Sequence, residues 1–133
     1  MEGFTMSYNF SKKIKADFNE SIERVTASLK KEGFGVLTTI DVRETLKKKL
    51  NVDFRNYVIL GACNPPYAYK ALQAEDKIGT MLPCNVIVQE LGNGIVEVTA
   101  VDPAASMQAI ENKELEGIAI EVQAKLKKVI ENL

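Results

Sequence analysis

The sequence predicts an α+β domain: one mixed five-stranded sheet with helices packed on it, in the order strand, helix, strand, helix, strand, helix, hairpin, helix. Three observations carry that prediction. Phe18, Ile22, Val25 and Leu29 recur at helical spacing after an acidic cap. Tyr57 to Cys63 is a short, nearly continuous apolar run of strand length. Gly92-Asn93-Gly94 separates two β-rich arms and signals a tight antiparallel hairpin.

Met1–Met6 reads as a loose start, with Met6 a second candidate initiator. Tyr8-Asn9-Phe10-Ser11 then alternates, with Ile14 beyond, and predicts a strand ending near Lys15. Asp17 and Glu20 have the spacing of a capping box. Lys30 and Lys31 suit the carbonyl end of the helix that follows, and Gly33 is a natural left-handed stop.

Phe34 to Ile40 is rich in β-branched residues and predicts the second strand. Asp41 opens a helix with Val42, Leu46 and Leu50 one turn apart and Lys47, Lys48 and Lys49 opposite. The run Tyr57–Cys63 lacks alternation, as a central strand buried on both faces would. Asn64 is then a good N-cap, and Pro65 suits the first helical position of a short helix through Tyr67, Ala68, Ala71 and Leu72. The loop around Glu75-Asp76-Lys77 ends that helix. Strands follow over Cys84–Leu91 and Ile95–Val101, and Asp102-Pro103 stops the second. Leu115, Ile118, Val122, Leu126, Val129 and Leu133 mark one face of a long last helix, despite Gly117. Strands joined through helices favour parallel neighbours, and the hairpin adds an antiparallel pair.

At 133 residues the chain fits one domain over 1–133, with no linker, repeat or low-complexity tract. It is 46% hydrophobic and 26% charged, the mix of a soluble globular protein. A formal net charge of -1 supplies no field for nucleic acid or an acidic membrane surface. No apolar stretch is long enough to cross a bilayer, and the first fifteen residues lack the apolar core of a signal peptide. Two cysteines are too few for a disulfide scaffold. The expected address is the cytoplasm.

With no histidine in the chain, neither a Ser-His-Asp nor a Cys-His arrangement can be built. A closed zinc site needs four ligands, so no metal is expected. Neither phosphate-binding glycine signature occurs, and no cofactor is named. Asp41, Asp76 and Asp102 have no spacing that brings them together. The Lys47–Lys49 run, diluted by Asp41 and Glu44, is a solvated face.

What stands out is a repeated pair, Cys63-Asn64 and Cys84-Asn85, each at the boundary of an apolar run with proline beside it. Cys63 closes a strand just before a helix, where main-chain N–H groups favour a thiolate; a buried free cysteine is also an ordinary small hydrophobe. Asn64 and Asn85 can donate to a bound anion or carbonyl, or else Asn64 caps its helix and Asn85 closes a turn. Tyr67 and Tyr69, on the short helix, can line a pocket or cover the core edge. Should the two strands be neighbours, both Cys-Asn pairs converge on one end of the sheet.

Gly33-Phe34, Ile40-Asp41-Val42, Leu60-Gly61-Ala62-Cys63-Asn64-Pro65, Leu82-Pro83-Cys84-Asn85-Val86 and Val101-Asp102-Pro103 together resemble the domain of unknown function 302 family, without departure at those positions. The resemblance runs from Tyr8 to the last helix. It implies a small α/β domain that forms a homodimer, and no established activity, substrate or cofactor. It marks Cys63, Asn64, Pro65, Pro83, Cys84 and Asn85 as the family motif. The expectation is therefore a homodimeric domain binding a small ligand near Cys63, Asn64, Tyr67, Cys84 and Asn85. The alternatives are a thiol redox enzyme or sensor using Cys63 and Cys84, and a purely structural assembly module.

Overall fold

The computed structural model describes residues 7–133. The loose start expected over Met1–Met6 lies outside them. Eleven elements follow in order: β1 (Asn9–Lys15), α1 (Phe18–Lys31), β2 (Gly35–Asp41), α2 (Val42–Leu50), β3 (Tyr57–Cys63), α3 (Pro65–Ala74), a 3₁₀ turn (Asp76–Met81), β4 (Cys84–Gly92), β5 (Ile95–Val101), α4 (Pro103–Ser106) and α5 (Lys113–Glu131). The strands form one five-stranded sheet in the order β1-β5-β4-β3-β2, so the α+β class holds.

Every strand pairing is antiparallel, which corrects the mixed sheet expected from the sequence. The helices between β2 and β3 and between β3 and β4 join antiparallel neighbours and are not crossovers. Among the described residues only the α1 connection spans the sheet; it joins β1 and β2, which run the same way but lie at opposite edges. The β3 strand is also not central, a place that falls to β4. Val58, Leu60 and Ala62 are buried, while Tyr57 and Ile59 on the other face are only half-buried. Its run lacks alternation because the second face is apolar too, not because it is covered.

Local signals explain the helix ends. The Asp17 carboxylate accepts from the Glu20 N–H at 3.2 Å. Gly33, at φ +88°, lets its own N–H reach the Lys30 carbonyl and that of Phe34 reach the Leu29 carbonyl, both at 3.0 Å. Asp41 caps α2 by accepting from Glu44 N–H at 3.0 Å, and Asn51 ends it in the left-handed region. The Asn93-Gly94 loop has positive φ at both residues, as a type I′ hairpin turn requires.

The amphipathic helices α1 and α5 pack on one face of the sheet. Val25, Leu29, Leu126 and Val129 are sealed against Val86, Val88, Val96 and Val98. Ser28 Oγ, buried in α1, donates to the Val129 carbonyl at 2.9 Å and locks the two helices in register. Gly117 does not interrupt α5, which buries Leu115, Ile118, Val122, Leu126 and Val129. By contrast α2 buries no residue, although Val42, Leu46 and Leu50 form its stripe. No helix among the described residues is long and apolar enough to cross a membrane.

Candidate functional site

At the end of the sheet where β3 stops and β4 starts, a cleft of about 260 Å³ opens between the strand ends, α3 and α5. The sheet contributes Ala62, Cys63 and Cys84, and α3 contributes Tyr67, Ala68 and Leu72. The opposite wall is Ile118, Ala119 and Val122 of α5. Phe34 and Leu37, Leu82 and Pro83, Pro103 and Met107 complete it. The walls are almost wholly hydrocarbon.

The neighbouring strands bring most of the expected residues together. Register pairs Ala62 with Cys84, so the two cysteines stand one residue apart across adjacent strands. Cys63, Asn64, Tyr67 and Cys84 all line the cleft. Asn85 does not: it is exposed on β4, opposite Gly61, and lines a separate depression with Met81 and Ser106. It lies within a strand, and so does not close a turn. Tyr69 is 66% exposed and outside the cleft.

Asn64 occupies the N-cap position of α3 but makes no side-chain cap bond, which corrects the capping role expected for it. Pro66, at the second helical position, removes one of the two N–H groups that a cap would satisfy. The buried side chain turns instead to α1, where Nδ2 donates to the Glu32 carbonyl at 3.1 Å. Its main-chain carbonyl accepts from Ala68 N–H at 2.9 Å.

Tyr67 sits at the rim, its hydroxyl 3.5 Å from Glu121 Oε1. The Nζ atoms of Lys70 and Lys125 stand 5.7 and 5.9 Å from its ring centre. Both cysteines are free, Cys63 half-buried and Cys84 buried. Burial, with the nearby Cys63 adding to it, pushes the Cys84 thiol up to about 11. Cys84 is therefore a neutral thiol at physiological pH.

Asp102 is spoken for. It caps α4 by accepting from Ala104 and Ala105 N–H, and both of its oxygens take a hydrogen bond from Gln123 Nε2 at 3.1 Å. Asp41 is the cap of α2, so the two acids serve different helices. Among the described residues no three Cys, Asp or Glu side chains gather into a metal-binding group.

The sequence reading missed the α5 wall and the flanking Leu82, Pro103 and Met107. The stripe of α5 was legible, but as core; its second and third turns face the cleft and the later ones face the sheet.

The family model for the domain of unknown function DUF302 matches residues 10–133. The chain belongs to this family. A solved structure of an uncharacterised conserved DUF302 protein from Bacillus stearothermophilus is similar to it, with 31% identity and a TM-score of 0.87 over 95% of this chain and 98% of that one. No curated protein matches the chain. The DUF302 fold thus extends over the cleft and all the elements that wall it.

Proposed function

We propose that this DUF302 domain is a cytoplasmic, homodimeric binding protein for a small, largely apolar molecule held between α3, α5 and the ends of β3 and β4. The observation that carries this reading is a cleft walled by hydrocarbon in which Cys63, Asn64, Tyr67 and Cys84 meet. Clefts with apolar walls and few polar groups are the usual form of small-molecule sites. Size narrows the class. A dry cavity of about 150 Å³ admits benzene, so a space of about 260 Å³ suits a bicyclic aromatic or a medium alkyl chain. Such a ligand gains roughly 25 cal/mol for each Å² of apolar surface it removes from water. Asn64 keeps its donor on Glu32, which leaves the Tyr67 hydroxyl and the Cys63 thiol as polar contacts at the mouth.

The test is titration with N-phenyl-1-naphthylamine, a neutral apolar fluorophore. Saturable enhancement is expected, abolished by Ala68→Phe, which fills the cleft from α3. Equal enhancement in the variant would place the dye elsewhere and remove the reading.

A second reading, thiol redox chemistry, draws on the two free cysteines sharing one cleft. With hydrogen peroxide as oxidant, the two thiols give up two protons and two electrons as the S–S bond forms, and the peroxide O–O bond breaks to leave two waters. The high pKa of Cys84 makes Cys63 the first sulfur oxidised. Peroxide treatment followed by intact mass should then show loss of two hydrogens; retention of both thiols excludes it.

A further inference from the structure

The two edges of the sheet are built differently. Strand β1 carries Lys12, Lys13 and Lys15, and Lys12 Nζ donates to the Glu131 and Leu133 carbonyls at the end of α5, at 3.1 and 2.7 Å. Lysines on an edge strand deter pairing with another chain. Strand β2, Gly35-Val36-Leu37-Thr38-Thr39-Ile40-Asp41, has no lysine and no proline, and its only charge is its last residue. It is exposed along almost its whole length. Leu37 and Ile40 are 67% and 49% exposed, and Leu50 at the end of α2 and Val52 beyond it are 65% and 43% exposed. A helix without one buried residue completes this flank. Exposed apolar surface gathered beside an edge that has no lysine or proline, and whose one irregularity is a register shift at Leu37, marks an interaction surface.

The same edge bounds the cleft. Leu37 is a cleft wall although two-thirds exposed, and Leu72 across the mouth is 44% exposed. On this side the site has walls but no roof.

We propose that β2 pairs antiparallel with β2 of a second copy of this chain, and that the second copy roofs the cleft. The inference rests on the cleft being a binding site. A second copy fits because an antiparallel pair of identical strands satisfies a two-fold axis, so each edge supplies its own complement. Centred on Thr38, the pairing sets Val36 against the partner's Ile40 and Gly35 against the partner's Asp41. The partner's α2 then begins just past Gly35, beside Phe34, which is itself a cleft wall. The paired edge of a seven-residue strand is about 23 Å long. A standard interface takes ~800 Å² per partner, so the pairing draws on α2 and Val52 on the flank as well as on the edge. The two sheets become one of ten strands whose outer edges are both lysine-bearing β1.

Analytical ultracentrifugation, hydrogen exchange and naphthylamine binding test this on wild type, Thr39→Lys and Ala68→Phe. Thr39 is exposed, so Thr39→Lys should leave the circular dichroism near wild type and lower the melting temperature only to that of wild type diluted to monomer. Wild type should sediment as a dimer, with β2 amides more protected as concentration rises. Thr39→Lys should be a monomer with unprotected β2 and bind the dye about tenfold more weakly. Ala68→Phe should remain a dimer and lose the dye. A wild type that is monomeric, with β2 unprotected at every concentration, overturns the pairing and leaves the edge to a different partner. A dimer that survives Thr39→Lys overturns it in favour of another face. A monomeric Thr39→Lys that binds dye as tightly as wild type overturns the roof. Should wild type be a β2-paired dimer that binds no dye, the cleft reading fails while the pairing stands.

Discussion

Asn64 Nδ2 donates to the main-chain carbonyl of Glu32 at 3.1 Å, fastening the residue that begins α3 to the residue that caps the end of α1. Gly33 makes room for this bond: a Cβ there would stand 3.2 Å from Asn64 Nδ2, in a backbone conformation that side chains already disfavour. Two stretches 31 residues apart, Gly33-Phe34 and Cys63-Asn64-Pro65, thus form one corner below the cleft.

Asn64→Asp keeps the shape but replaces the donor with a carboxylate oxygen facing a carbonyl. Because the site is buried, the loss should be about 2 to 3 kcal/mol, lowering the melting temperature by roughly 5 to 15 °C. A protonated aspartate can donate again, so the deficit should shrink as pH falls through the raised pKa of the new carboxyl. Thermal denaturation at neutral and acid pH measures both effects; an unchanged melting temperature would mean the bond contributes nothing.

A second close approach sits one strand over. A Cβ on Gly61 would overlap Thr38 Oγ1 and lie 2.8 Å from Pro83 Cγ. Gly61→Ala should therefore cost about 1 to 3 kcal/mol, the usual penalty of overpacking. Thr38→Ala removes the oxygen in the way from an exposed position, so the double variant should recover part of the loss. Urea denaturation of the four proteins gives the coupling, and strict additivity would contradict the contact.

Much of this architecture was legible because local chemistry fixed it. Asp17, Gly33, Asp41 and the Asn93-Gly94 turn each specify a boundary by hydrogen bonding or positive φ, and the elements end where they do. Strand direction was not legible. Alternation along β3 reports which side chains are buried, but apolar residues on its open face erased that pattern, and a helix between two strands does not say whether it crosses the sheet or turns at its end. Among candidate site residues, the Cys-Asn repeat pointed to the end of the sheet where the cleft opens. Strand alternation then set Asn85 on the face away from Cys84, and the Asn64 side chain turned to the Glu32 carbonyl, with Pro66 offering no N–H to cap. The walls from α5 could not be separated from core, since the same apolar stripe serves both.

The two thiols should differ sharply toward alkylation. Cys63 is half-buried at the cleft mouth, whereas Cys84 is 8% exposed with its thiol pushed up to about 11. At pH 8 that leaves roughly one Cys84 in a thousand as thiolate. Iodoacetamide on the folded protein should add a single carbamidomethyl group, at Cys63, and a second only in denaturant. Peptide mass spectrometry reads the positions, and parallel labelling of both residues would show Cys84 to be reachable.

Cys84 should also make stability fall in alkaline solution. In the unfolded chain its thiol loses its proton near the ordinary value of 9.0, while in the folded protein burial, and secondarily Cys63, holds the proton to about 11. Between those values the unfolded state binds fewer protons, so rising pH favours unfolding. The contribution is whole below pH 9 and is lost as pH climbs through 11, in total about 2 to 3 kcal/mol. Lysines and tyrosines titrate in the same window, so the readout is a difference between proteins. Cys84→Ala starts lower because it leaves a small cavity, but its stability should decline less steeply from pH 9 to 11. Cys63→Ser, which removes the secondary cause, should leave most of the wild-type slope in place. Urea midpoints across that range measure the slopes, and parallel curves for wild type and Cys84→Ala would show that Cys84 meets no such barrier to ionisation.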